Sequence, residues 1–228
     1  MRIHGLQKTT LLDFPGQVAC TVFLAGCNLR CPFCHNAPLV LSTPPESMTE
    51  AEFFAFLQKR KGILDGVCVT GGEPTLRPEL PEFLERIRCL GYRVKLDTNG
   101  SDPAMLRAVL SAGLADYVAM DIKNAPDRYI QTCGGVDVLS QVRESAALLM
   151  ESGIDYEFRT TCVRPLHDTQ AMEAIGQWLQ GAKRYFLQNF VDSGNLVGTG
   201  IRGMTLEEMR QLQSAVLPYI ENTQLRGV

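Results

Sequence analysis

The sequence predicts an α/β fold, specifically a partial (β/α)6 TIM-type barrel with parallel strands. Two observations carry this. Short apolar runs alternate with helical patterns at roughly 25–35-residue spacing, the mark of parallel βαβ units. Six such units are countable, and 228 residues fall short of the about 250 that eight units typically use. A doubly wound open sheet is the competing architecture, and alternation alone does not separate the two. In either, active residues belong at the carboxyl ends of the strands. No linker, low-complexity stretch or repeat divides the chain. A single domain over residues 1–228 is therefore expected, with a short N-terminal extension over 1–17, the barrel units over 18–190 and a C-terminal loop and helix over 191–228.

Val18 to Leu24 reads as the first buried strand. Ser47-Met48-Thr49-Glu50 has capping-box form, with Thr49 to Glu52 as a rival frame. Either opens a helix carrying Phe53, Phe54, Phe56 and Leu57, which read as core rather than as a cofactor-binding stripe. Gly66 to Thr70 is the second strand. Pro78 to Leu90 is a helix with Leu80, Phe83, Leu84, Ile87 and Leu90 on one face, stopped by Gly91. Tyr92 to Leu96 is a strand, and Asp102-Pro103 starts a helix ending near Gly113. Tyr117 to Met120, Tyr156 to Val163 and Arg184 to Gln188 are the remaining strands. Helices over about 139–152, 168–179 and from Thr205 toward Tyr219 follow them.

Apolar residues make up 45% and charged residues 21% of the chain, which excludes global disorder. No apolar run approaches the length of a spanning helix. The first eight residues lack a signal-peptide core, so a cytoplasmic protein is expected. The charge is 22 − 25 = −3 with both signs scattered, which gives nucleic-acid binding no support. Cysteines stand at 20, 27, 31, 34, 68, 89, 133 and 162. Five are scattered and read as small buried apolar residues.

The other three form C-x3-C-x2-C, directly after the first strand: Cys27, Cys31 and Cys34. Thiolates on one short loop can converge on one metal centre, and soft thiolates select zinc, Cu(I) or iron–sulfur clusters. A structural zinc wants four ligands, and His35 is an awkward fourth beside Cys34. Cys31-Pro32-Phe33-Cys34 alone is compatible with a dithiol redox pair, which needs no Cys27. A [4Fe–4S] cluster with three protein thiolates leaves one iron open to a substrate or cofactor.

With Phe33 in its aromatic slot, this segment resembles the signature of the radical S-adenosylmethionine (SAM) superfamily. Cys34-His35-Asn36 is similar to the glycyl-radical-enzyme activases. Four further stretches resemble the activating proteins of anaerobic ribonucleoside-triphosphate reductase: 11–16 (LLDFPG), 71–74 (GGEP), 96–100 (LDTNG) and 119–123 (AMDIK). The resemblance runs from about residue 3 to about residue 190. It implies an oxidoreductase in which Cys27, Cys31 and Cys34 hold a [4Fe–4S] cluster. The open iron would bind the amino and carboxylate groups of S-adenosylmethionine. Reductive cleavage would give methionine and a 5′-deoxyadenosyl radical, which abstracts hydrogen from a glycine of a partner enzyme.

Phe33 would lie near the adenine, and Gly71 and Gly72 would let backbone approach the methionine amino group without a Cβ clash. Glu73 would accept from that ammonium, Lys123 would pair with the cofactor carboxylate, and Arg159 resembles a cofactor-contacting arginine. Asp97 and Asp121, with the carbonyls of Thr98 and Met120, would help hold a monovalent cation. The alternative for these charged residues is an ion-pair network of Asp97, Asp121, Lys123 and Arg159. The expected partners are an anaerobic ribonucleotide reductase and an electron donor such as flavodoxin or ferredoxin. Other activases or small-molecule radical enzymes share the same motifs.

One departure stands out. Pyruvate formate-lyase activases carry a cofactor-contacting His near the last strand's end, where this chain reads Phe186-Leu187-Gln188-Asn189-Phe190. That contact is lost or made by Gln188 or Asn189. His167 reads as a loop or helix-start residue. Gly198 to Gly203 matches G-x-G-x-x-G but follows the last strand, so it reads as a loop rather than a dinucleotide site.

Overall fold

The computed structural model describes residues 1–42, 44–192, 194 and 196–228. In chain order the elements are β1 (Gly5–Thr10), β2 (Ala19–Leu24), α1 (Ala37–Leu41), α2 (Glu50–Lys59), β3 (Gly66–Gly71), α3 (Leu80–Cys89), β4 (Arg93–Thr98) and α4 (Pro103–Ser111). Then come β5 (Tyr117–Asp121), α5 (Tyr129–Thr132), α6 (Leu139–Glu151), β6 (Asp155–Cys162), α7 (Thr169–Trp178), β7 (Tyr185–Asn189), α8 (Leu206–Val216) and β8 (Thr223–Arg226). The strands form one sheet in sequence order from β1 to β8. Neighbours from β2 to β8 are parallel, and β1 runs antiparallel to β2. A doubly wound sheet reverses its strand order at a switch point, and this order never reverses. The winding is that of a barrel, left open between β1 and β8.

The six predicted units are β2 to β7. Two strands were not foreseen, β1 in the N-terminal extension and β8 in the C-terminal segment. Gly5–Thr10 is half exposed, and Thr223–Arg226 is four mostly polar residues. As edge strands they bury too little for an apolar run to mark them.

Capping chemistry places the helix starts. Thr49, not Ser47, caps α2: its side chain accepts from Glu52 N, and the Glu52 carboxylate accepts from Thr49 N. Ser47 N instead donates to Ile3 O at 2.9 Å, which ties the N-terminus to the helix. Asp102, Asp168 and Thr205 cap α4, α7 and α8 as their positions predict.

The main core lies between the sheet's outer face and the helices. Phe53 and Phe54 belong to it, packed on Phe83 at 5.6 and 5.7 Å between centroids. A second, smaller cluster of Phe14, Ala19, Tyr117 and Ala119 fills the barrel's interior floor. Phe14 comes from the loop after β1. A Cβ on Gly66 would lie 2.8 Å from its ring, so glycine there admits the plug. Asp13 accepts from Thr21 Oγ1 at 2.5 Å and fixes the loop beside it. Of the five scattered cysteines, Cys20, Cys68, Cys133 and Cys162 are buried. Cys89 is exposed, because it ends α3 on the side away from the core.

Replacing the plug tests the floor. Phe14→Ala should destabilise the fold by about 3 kcal/mol, the usual scale for emptying a buried aromatic site. Urea unfolding reads this, and an unchanged midpoint would show that the floor carries no stability.

Candidate active site at the carboxyl mouth of the barrel

The cysteine loop leaves β2 and crosses the barrel mouth. Cys27, Cys31 and Cys34 line one cleft with Phe33, Gly71, Gly72, Glu73, Asp97, Asp121, Lys123 and Arg159. The structure thus brings these eleven sequence-predicted site residues to one place. The cleft is open to solvent on one side and has a cavity volume of about 190 Å³.

Hydrogen bonds fasten the loop on several sides. Asn36 Nδ2 donates to Gly71 O at 2.9 Å, and Gly26 N donates to Leu39 O at 2.7 Å. Arg30 N donates to Cys133 O at 3.1 Å. Asn99 Nδ2 reaches Asn28 Oδ1 at 3.0 Å and Cys27 Sγ at 3.7 Å. The Gly198–Gly203 segment is a loop, as expected, yet it is part of the support: Gly198 N donates to Pro32 O at 2.9 Å.

Burial pushes the Cys27 thiol up to about 11 and raises Cys34 as well. A hydrogen bond with the Cys133 side chain holds Cys31 down to about 7 despite its burial. The Lys123 ammonium pulls all three toward the thiolate. Among the described residues, no three His, Cys, Asp or Glu side chains are gathered closely enough to hold a single metal ion. The three thiols stand at separate points of one cleft. Three cysteine thiols from one loop are the soft donor set that an iron–sulfur cluster takes.

The glycine turn packs tightly against the neighbouring strand exit. Gly71 has φ +128°, and a Cβ there would lie 2.1 Å from Leu24 O; on Gly72 it would lie 2.1 Å from Gly26 O. The chain's own β2 exit therefore already demands glycine at both positions. Glu73 is buried and already engaged. Its Oε1 accepts from Thr75 N (3.1 Å), Thr75 Oγ1 (2.6 Å) and Thr98 Oγ1 (2.7 Å), and its Oε2 accepts from Asn99 N (2.6 Å). It bolts the β3 exit to the β4 exit. Oε2, with one donor, retains room for another.

The charged residues form the ion-pair network, with one member the sequence did not reveal. Lys95 Nζ pairs with Asp97 Oδ1. Arg159 reaches Asp97 Oδ2 at 3.2 Å through Nη1 and Asp121 Oδ1 at 3.0 Å through Nε. Lys123 Nζ pairs with Asp121 Oδ2 at 3.0 Å. Lys95 lies two residues before Asp97, so β-strand alternation puts both on the interior face; that period was the available signal. The guanidinium bridges the two carboxylates that the resemblance assigns to a cation. Burial opposes ionisation of Asp121, but Arg159 and then Lys123 outweigh it and hold the carboxyl at about 2; burial opposes Asp97 too, and Arg159 and then Lys95 lower it. Burial likewise opposes the charge on Lys123, and Asp121 and Cys31 overcome it and raise it.

At the β7 end, Asn189 is committed elsewhere. Its Nδ2 donates to Met204 O at 2.8 Å and its Oδ1 accepts from Met204 N at 2.9 Å. Gln188 lines a separate lateral cavity. The imidazole that comes to this end is His35, stacked on Phe190 with centroids 5.3 Å apart and planes 22° from parallel. It lines the cleft. The ring arrives from the cysteine loop rather than from the strand, and no local pattern around Phe190 announces it.

The Radical SAM superfamily profile matches residues 21–180. The chain belongs to that superfamily, whose cofactors are a [4Fe–4S] cluster and S-adenosylmethionine. It is 27% identical over 234 residues to a Methanocaldococcus jannaschii protein assigned as a glycyl-radical enzyme activating enzyme, covering 99% of this chain and 96% of that one. It is 33% identical over 131 residues to the pyruvate formate-lyase-activating enzyme of Clostridium pasteurianum, covering 55% of this chain and 54% of that one. Among solved structures, Streptococcus suis SuiB bound to S-adenosylmethionine superposes with a TM-score of 0.69 at 15% identity, covering 91% of this chain and 52% of that one. The chain therefore spans about half the length of the latter two. Among the described residues no helix is long and apolar enough to cross a membrane.

The carboxylates set an acid limb. A carboxylate with a depressed folded pKa stabilises the fold above its unfolded value near 4, and that contribution is lost as pH falls through the folded value. Wild-type stability should therefore drop between about pH 4 and pH 2. In Arg159→Met, Asp97 and Asp121 lose their bridge, so their folded pKa values rise toward the unfolded value and the acid-linked loss of stability should be smaller than in wild type. Denaturant titrations across pH read this, and superimposable acid limbs would show that Arg159 does not hold the pair.

Proposed function

We propose that this chain is an activating enzyme that generates a glycyl radical on a partner, an anaerobic ribonucleoside-triphosphate reductase, in the cytoplasm with a flavodoxin or ferredoxin as electron donor. The observation that carries this reading is the open side of the barrel. A lateral cavity between the loop after β1 and the end of β8 is lined by Leu11, Leu12, Asp13, Gln188 and Arg226, and it shares Asp97 and Arg159 with the cysteine cleft. Leu11 and Leu12 beside it are 71% and 89% exposed. A macromolecular loop entering there would meet an apolar rim and reach the Asp97–Arg159 pair that borders the cleft. The near full-length likeness to the archaeal activating enzyme supports the same reading.

One-electron cleavage of the sulfonium C–S bond is chemistry that bound cluster and S-adenosylmethionine supply. The chain's own residues bind and orient. Cys27, Cys31 and Cys34 would hold the cluster. Lys123, with Arg159 sharing Asp121, leaves a net positive wall for the cofactor carboxylate. Phe33 offers an apolar surface for the adenine. Oε2 of Glu73 is the remaining acceptor for the ammonium. A monovalent cation at Asp97 and Asp121 would compete with Arg159 for both carboxylates. Domain limits follow the sheet: residues 1–228 act as one unit in this reading, since both end segments add strands to it.

After anaerobic iron–sulfide reconstitution and reduction, the chain should release 5′-deoxyadenosine, and Cys31→Ala should abolish release. With the reductase present, a glycyl-radical signal should appear by electron paramagnetic resonance. Release that is accelerated by a small molecule and yields no protein radical would establish a small-molecule enzyme instead. A radical formed on pyruvate formate-lyase and not on the reductase would reassign the partner.

A further inference from the structure

His167 lies between β6 and α7, is fully buried, and has no part in the reading above. Both ring nitrogens are engaged. Val163 N donates to Nδ1 at 3.1 Å, and Nε2 lies 2.9 Å from the Lys123 carbonyl. A carbonyl only accepts, so Nε2 carries a proton. Nδ1 lies 3.1 Å from the Val163 N–H and 3.3 Å from the Val163 carbonyl; in a neutral ring protonated at Nε2 it accepts from the N–H. The partners thus select one neutral tautomer and one ring orientation. The ring also packs against Phe33, with centroids 6.0 Å apart and planes at 64°. Lys123 and Phe33 line the same cleft but come from different parts of the chain, the β5 exit and the cysteine loop.

We propose that His167 is a positioning residue for the cofactor site, setting two cleft walls from behind. Its Nε2–H fixes the Lys123 backbone, and so the point from which Nζ reaches. Its ring backs Phe33, and so the apolar surface beside it. The surroundings support this placement. Thr160 Oγ1 donates to Ile122 O at 2.7 Å and Asn124 Nδ2 donates to Leu166 O at 3.0 Å, so the β5 exit and the loop of His167 are held as one piece. This inference rests on the reading of the cleft as the S-adenosylmethionine site, with Lys123 toward the methionine end and Phe33 toward the nucleoside end.

The two contacts are separable by substitution. His167→Gln keeps a donor for the Lys123 carbonyl and removes the ring. His167→Phe keeps a ring against Phe33 and removes the donor. The experiment uses the full chain with its cluster loaded, under anaerobic conditions. Equilibrium dialysis measures the binding of S-adenosylmethionine, methionine and 5′-deoxyadenosine, and iron content and thermal midpoint are recorded alongside. His167→Phe should weaken methionine about three- to tenfold, the range that one hydrogen bond accounts for, and leave 5′-deoxyadenosine within about twofold. His167→Gln should do the reverse.

Variants that hold the cluster and bind both fragments as wild type does would overturn the proposal. So would variants that lose both fragments equally, since that describes general loosening. If His167→Phe fails to hold the cluster, His167→Gln decides alone, and unchanged nucleoside binding overturns the proposal. Wild-type protein that holds four irons yet binds no S-adenosylmethionine would instead overturn the cofactor reading beneath it.

Discussion

The barrel mouth depends on Arg159. Two carboxylates inside a barrel cannot both stay ionised without compensation, because burial penalises each charge. Arg159 stands level with Asp121 on the neighbouring strand and reaches across to Asp97 on β4. It joins strands β4, β5 and β6 on their inner face. Lys95 and Lys123 close the two ends, so three cations face two anions. The surplus positive charge lies beside three thiols that a metal centre needs as thiolates. The same arrangement that makes the interior tolerable as a fold makes it hospitable to anionic ligand groups.

Around this chain of charges, the loops are fastened one to the next. Asn36 on the cysteine loop holds the Gly71 carbonyl. Gly72 N donates to Leu24 O, and Glu73 grips Asn99 N. Asn99 returns to Cys27 and Asn28 on the cysteine loop. Three motifs far apart in sequence thereby close a ring of contacts. A change in one turn is felt by the next because every joint ties a backbone group or a buried side chain of one motif to the next. This gives a physical account of glycine at 71 and 72 that involves no ligand.

Much of the fold was legible because the six central strands are buried runs bounded by helix caps. Val67-Cys68-Val69 and Tyr117 to Met120 are examples. Their signal is covalently local: an apolar run, a cap, a glycine stop. β1 and β8 escaped because an edge strand is paired on one side only and needs no apolar run. The rival capping frame at Thr49 could not be resolved locally, since Ser47 offers an equivalent hydroxyl. Only its bond to Ile3, forty-four residues away in sequence, removes it from contention.

By itself the sequence determined the six central parallel units and the chemistry class, because residue types at fixed spacing on one loop and at strand ends carry that information; the winding was left to the strand order of the sheet. Cys27, Cys31 and Cys34 had to face one site, and Asp97 and Asp121 had to end neighbouring strands. Tertiary structure alone decided who meets whom across the mouth. Lys95 joined Asp97, Arg159 came between the carboxylates, His35 reached Phe190, and His167 took Lys123 and Phe33 as its two neighbours. These pairings follow from strand register and barrel curvature. Both are set by packing of the whole sheet; strand alternation places Lys95 and Asp97 on one face, but contacts between strands are not written in the local order of residues.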